Sequence, residues 1–152
     1  MAYCTAAEIL DMLKDDMMNV IIGDEYIEDK SEKITAITPL AKEAIGDACA
    51  EIDGYLAKRY NVPFPKTPKV INKFAKDIAL YNLVSRKGVD ENDREKTYLT
   101  RYNAAVAFLT KVAEGKIDIG VPEGYSTEDA ARNGFSMKSS RRTFSRESMK
   151  GW

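Results

Sequence analysis

Thr38-Pro39-Leu40-Ala41-Lys42-Glu43-Ala44-Ile45-Gly46-Asp47-Ala48-Cys49-Ala50-Glu51-Ile52-Asp53-Gly54-Tyr55-Leu56-Ala57-Lys58-Arg59-Tyr60, running into Asn61-Val62-Pro63-Phe64-Pro65, decides the fold. Ile45, Ala48, Cys49, Ile52, Tyr55 and Leu56 recur at helical spacing and form one apolar stripe. The charged side chains fall largely outside it. Thr38 suits an N-cap and Pro39 the first helical position, where its missing N–H costs nothing. Pro63 and Pro65 stop the helix after Tyr60. At 1.5 Å per residue such a helix is about 33 Å long, the width of a small domain. Other helices must pack on it.

Upstream, Thr5-Ala6-Ala7-Glu8 is a capping box for a short first helix from Ala6 to about Lys14. Met17, Met18, Val20, Ile21 and Ile22 form an apolar run that should pack under the long helix. Residues 24–37 read as a loop. Its acids Asp24, Glu25, Glu28 and Asp29 lack the spacing and glycine of a calcium loop, so no metal is expected there. Downstream, Thr67 and Pro68 repeat the start signal. The third helix, with Val70, Ile71, Phe74, Ala75, Ile78, Tyr81 and Leu83, runs to about Lys87 before Gly88, and its apolar character makes it central. A fourth helix begins near Asp90, has Leu99, Tyr102, Val106, Leu109, Val112 and Ala113 as its apolar face, and ends at Gly115. The expected fold is all-α: a small bundle of about four helices over residues 1–122, with an extended C-terminal arm over 123–152.

The 152 residues are 44% apolar, enough for one domain with a core. No run approaches the length of a membrane span, and no basic-then-apolar leader stands at the N-terminus, so neither membrane nor secretory targeting is expected. The net charge of −1 is unevenly divided. Residues 131–152 hold six basic side chains and one acid, a charge of +5, which leaves −6 for the first 130 residues. Tyr125, Phe135, Met137, Phe144, Met149 and Trp152 are spread through the arm, more large anchors than a solvated linker needs. Arg141, Arg142, Phe144, Arg146 and Trp152 are the candidate partner-binding residues. The same residues could grip DNA phosphates and stack on bases, the alternative reading of the arm as that of a small DNA-binding or packaging protein.

Catalysis has little to draw on. The chain contains no histidine. Cys49 lies on the apolar stripe as a small hydrophobe. Cys4, before a helix start, is where a thiol pKa could fall, but no catalytic motif marks it. Glu43, Asp47 and Glu51 share one helix face, and such a row is more often solvated than catalytic. No enzyme activity, cofactor or metal is expected.

Ala50-Glu51-Ile52-Asp53-Gly54-Tyr55-Leu56-Ala57-Lys58-Arg59-Tyr60-Asn61-Val62-Pro63, with Ala75-Lys76-Asp77-Ile78-Ala79-Leu80-Tyr81-Asn82-Leu83, resembles the Mu-like phage and prophage family related to the head–tail connector (adaptor) proteins of tailed phages. Tyr3-Cys4-Thr5-Ala6-Ala7-Glu8-Ile9-Leu10 fits the family's start. Tyr98 to Val121, with Gly115-Lys116-Ile117-Asp118-Ile119-Gly120, fits its end. The resemblance covers residues 1–121 and leaves the arm outside. Ile52, Asp53, Tyr55, Leu56, Arg59, Tyr60 and Pro63 carry its signature. It implies an adaptor that forms a homo-oligomeric ring, twelve-fold in such proteins, beneath the portal and extends the DNA channel. The implied partners are the portal protein, a stopper or tail-terminator protein and further copies of the chain, with DNA only as channel cargo. The implied place is the virion neck, after synthesis in the host cytoplasm. In that setting Glu43, Asp47 and Glu51 could face the channel and repel phosphates, and the arm could order on the portal. For Arg59 and Tyr60 the structural expectation is that Arg59 pairs with an acid and Tyr60 packs on Pro63.

Overall fold

The computed structural model describes residues 2–23, 27–86 and 93–121. Among them are five helices and no strand: α1 (Ala6–Leu10), α2 (Asp15–Ile22), α3 (Lys30–Leu56), α4 (Lys69–Ser85) and α5 (Asp93–Ala113). The all-α reading holds. α3 and α4 form the centre, each packed against the other four helices. The predicted arm, including Arg141, Arg142, Phe144, Arg146 and Trp152, lies outside the described residues, as do Asp24, Glu25, Gly88 and Asp90.

α3 starts eight residues before the expected Thr38 cap. Asp29 is its N-cap, its carboxylate accepting from the Ser31 N–H at 3.0 Å. Pro39 is therefore interior, and the segment expected as a loop is mostly helix. Lys33, Ile37, Ala41, Ala44, Ile45 and Ala48 are buried in helical register on either side of the proline. Their packing outweighs the backbone bond that Pro39 cannot donate to Thr35. The Thr38 hydroxyl, read as a cap, instead donates to the Ile34 carbonyl at 2.5 Å. At the other end α3 stops at Leu56, before the expected Tyr60. The N–H groups of Arg59 and Tyr60 both donate to the Leu56 carbonyl at 2.9 Å, tightening the chain into a turn before the cis Val62–Pro63 peptide.

The other boundaries moved for local reasons. The Thr5–Glu8 capping box forms as predicted. α1 ends at Leu10, and the run from Met17 belongs to a separate helix, α2, with Asp15 and Asp16 favourably placed in its first turn. Within that run Met18 and Ile21 are buried, but Val20 is 55% exposed. α4 is capped by extended Pro68, with no side-chain cap from Thr67. It is buried nearly all round, as its composition suggested. One acid, Asp77, is buried within it and accepts from Arg101 of α5 at 2.5 Å. α5 ends where Gly115 predicts. That residue has φ +82°, and the Lys116 N–H donates to the Lys111 carbonyl at 2.9 Å, closing the last turn.

Pro39 supplies a direct test. An interior proline costs about 3 kcal/mol, of which up to about 1 kcal/mol is returned by its stiffening of the unfolded chain. Pro39→Ala should therefore raise the unfolding free energy by about 2 kcal/mol in urea titrations. Unchanged stability would contradict a helix that is continuous through position 39.

Candidate functional site

The signature residues converge where α3 ends. Ile52 and Leu56 point inward and are fully buried; such burial stabilises by about 1.5–3 kcal/mol per side chain. Tyr55 is half-buried against the same core. Asp53, one turn before the helix end, accepts a short hydrogen bond from the Tyr3 hydroxyl. That hydroxyl in turn accepts the Phe64 N–H at 3.4 Å. Tyr3 is fixed at its backbone as well: its carbonyl accepts from Asn72 Nδ2 of α4 at 2.8 Å. One buried tyrosine thus ties the N-terminal segment to α3, to α4 and to the turn after α3.

Arg59 does the same for the C-terminal end of the bundle. Its Nη1 donates to the carbonyls of Val112 at 3.0 Å and Ile117 at 3.2 Å. The first satisfies a carbonyl at the end of α5, and the second holds the segment beyond it. Gly115 lies over the guanidinium, where an added Cβ would sit 3.8 Å from Cζ. The guanidinium also lies 5.6 Å from the Tyr60 ring centre. The expected acid partner of Arg59 is replaced by carbonyls. Tyr60 packs edge-on against Phe64, with ring centres 6.0 Å apart, and Pro63 between them in sequence is exposed. The Tyr60 hydroxyl donates to Asp118 Oδ1 at 3.4 Å and accepts the Ile119 N–H at 3.5 Å. Burial pushes its pKa up, opposed by that Ile119 N–H.

The acidic row is largely solvated, as expected, with Glu43 and Asp47 exposed and Glu51 half-buried. Glu43 accepts from Arg86, at the end of α4, at 2.7 Å. Glu51 accepts from the Tyr102 hydroxyl of α5 at 3.0 Å. Burial and that hydrogen bond push Tyr102 up to about 12. Two of the three acids thus brace α3 against its neighbours. Cys4 and Cys49 are both free and buried. The lowered pKa considered for Cys4 is reversed, because burial pushes its thiol up to about 12. A thiol so raised holds little thiolate near neutral pH and reacts slowly.

Sequence reasoning missed Tyr3, Phe64 and the Asp77–Arg101 pair. Asp77 carried a legible signal, a lone acid in an otherwise apolar helical run, which demands a buried partner. Tyr3 carried none, since its partners lie near positions 53, 64 and 72.

The profile of the Bacteriophage Mu Gp36 family matches residues 3–138. The chain belongs to that family. It is 32% identical over 111 residues to "Mu-like prophage FluMu protein gp36" of Haemophilus influenzae, covering 73% of this chain and 74% of the relative. It is 32% identical over 82 residues to "Gene product J" of Escherichia phage Mu, covering 54% of each. The Gp36 match extends beyond the resemblance read from the sequence, which ended at residue 121. It takes in the first part of the arm but stops before Arg141. Every signature residue lies inside the Gp36 match, and in the fold Asp53, Arg59 and Tyr60 serve packing and closure of the bundle.

Two variants test this closure. Arg59→Ala removes a charged donor to two carbonyls and should cost about 2–3 kcal/mol, with faster amide exchange over residues 117–121. Tyr3 ionisation gives a pH signature. Burial, then the Asp53 hydrogen bond, holds the folded phenol well above the ordinary value near 10. The raised folded pKa contributes stability that is fully present below pH 10 and lost as pH rises above it. Tyr3→Phe should therefore lower stability at pH 8 by about 1–3 kcal/mol and flatten its decline between pH 10 and 12 in thermal melts. An equally steep alkaline decline in the variant would remove Tyr3 as its source.

Proposed function

We propose that the protein is a structural head–tail connector, an adaptor that forms a homo-oligomeric ring beneath the portal and extends the channel for DNA. Membership of the phage Mu Gp36 family carries this reading. The body supports it in a second way: its polar clusters are spent on closing the bundle, which leaves contact with neighbours to outer surfaces and to the arm. On the exposed side of α3, Gly46, Ala50, Gly54 and Ala57 follow one another along the helix. Such a face offers little side-chain bulk to hinder close approach of another chain. The role is one of assembly rather than catalysis, in the neck of the particle, with the portal protein on one side and a stopper or tail-terminator protein on the other. The arm, through Arg141, Arg142, Phe144, Arg146 and Trp152, engages the portal. Glu43 and Asp47, both exposed, are the members of the acidic row placed to face a channel.

Deleting residues 123–152 should leave a helical, cooperatively melting body that no longer binds purified portal, scored by co-sedimentation and by imaging of particles. Normal portal binding by the truncated chain would remove the arm from the assembly. Tight duplex binding by the full chain that weakens steeply with salt would favour the DNA-binding reading of the arm instead.

A further inference from the structure

Cys4 and Cys49 are brought together from distant parts of the chain. Both line one open cavity of about 650 Å³, bordered also by Thr5, Lys42, Gly46 and Asp53. The Tyr3 N–H donates to Cys49 Sγ at 3.3 Å, so the backbone next to Cys4 already touches the other sulfur. A disulfide needs Cα atoms about 4.4–6.8 Å apart, so closure requires Cys4 to approach the sulfur that its neighbouring backbone N–H already touches. Gly46 lies one turn from Cys49 and leaves the mouth of the cavity open; a Cβ built there meets nothing within 4 Å.

We propose that Cys4 and Cys49 are a modification site that closes to an intramolecular disulfide when the protein meets a small-molecule disulfide oxidant. Burial raises both thiols. Cys49 reacts first because the Tyr3 N–H opposes that rise at its sulfur, whereas Cys49 and Glu8 add to it at Cys4. The oxidant is a small-molecule disulfide such as glutathione disulfide. The Cys49 thiol loses its proton to solvent and its sulfur attacks the oxidant, whose S–S bond breaks to release one glutathione. The Cys4 thiol then loses its proton and attacks the Cys49 sulfur of the mixed disulfide, releasing the second glutathione. Two protein thiols give up two electrons and two protons, and one glutathione disulfide becomes two glutathiones. The product staples the N-terminal segment to α3 at Cys49. Burial of both sulfurs makes closure slow, a matter of hours rather than seconds.

The test uses the full chain, reduced, desalted and incubated with glutathione disulfide at pH 8. After denaturation and alkylation, the intact mass should be lower than the reduced protein's by two hydrogens before labelling. It should also lack both alkyl groups, and a peptide map should join the Cys4 and Cys49 peptides. The oxidised chain should melt several degrees higher, and the shift should vanish with reductant. Cys4→Ser should stop at the glutathione adduct on Cys49. Two alkylated cysteines after prolonged oxidant exposure, adducts on both without a link, or a link only between two chains would each overturn the proposal; all three are read from the native sequence without any variant.

Discussion

Both ends of the described body are secured at the C-terminal end of α3. Asp53 receives Tyr3, and Arg59 receives the carbonyls of Val112 and Ile117. These contacts span roughly fifty residues in each direction, so neither could form until the bundle was assembled. Asn72 and Lys76 of α4 hold the same segment through the Tyr3 carbonyl and the Glu8 carboxylate. Without Arg59 the segment after α5 would lose the donor that turns it back across the helix end. A five-helix body of this size gains its integrity from joining its ends at one place rather than from the length of any single helix.

The same geometry explains how much of the fold could be read from the sequence. The apolar periods of α3, α4 and α5 were legible because each helix buries a face against the others, and burial imposes its period on the residue types. Gly115 was legible because the positive φ that ends α5 favours glycine. Pro39 misled, because its preference for a first helical turn is local whereas the stripe from Lys33 to Ala48 is anchored in the core. Thr67 misled in the same way: Pro68 occupies the cap, and the hydroxyl has no part in it. α2 was hidden by its shortness and by Val20, which breaks the inward pattern by facing solvent.

Candidate sites were less legible than helices, for a reason visible in Arg59. An arginine before a turn invites the expectation of a carboxylate partner. Yet the end of α5 presents carbonyls that need a donor more than any nearby acid does, and a planar guanidinium can serve two of them from one nitrogen. The acidic row was read correctly as mostly solvated, with Glu43 and Asp47 exposed. Its spacing placed three acids on one face, but Glu43 and Glu51 found donors on α4 and α5 at the edges of that face. Sequence spacing shows which residues share a helix face; the neighbouring helices decide which of them remain free.

This distinction bears on what the family signature means. Ile52, Asp53, Leu56, Arg59 and Tyr60 all turn inward or brace a turn, so a chain that keeps them keeps the closure of the bundle. Their presence marks a shared fold and does not itself specify a contact with a neighbouring protein. In the connector role proposed above, partner contacts fall instead to the outer face of α3, where small residues leave the backbone approachable, and to the arm beyond residue 121. The profile match reaches into that second region and stops before the Arg141–Trp152 anchors. The Gp36 match thus takes in the body and the first part of the arm, while the proposed partner contacts rest on the most basic part, which that match does not reach.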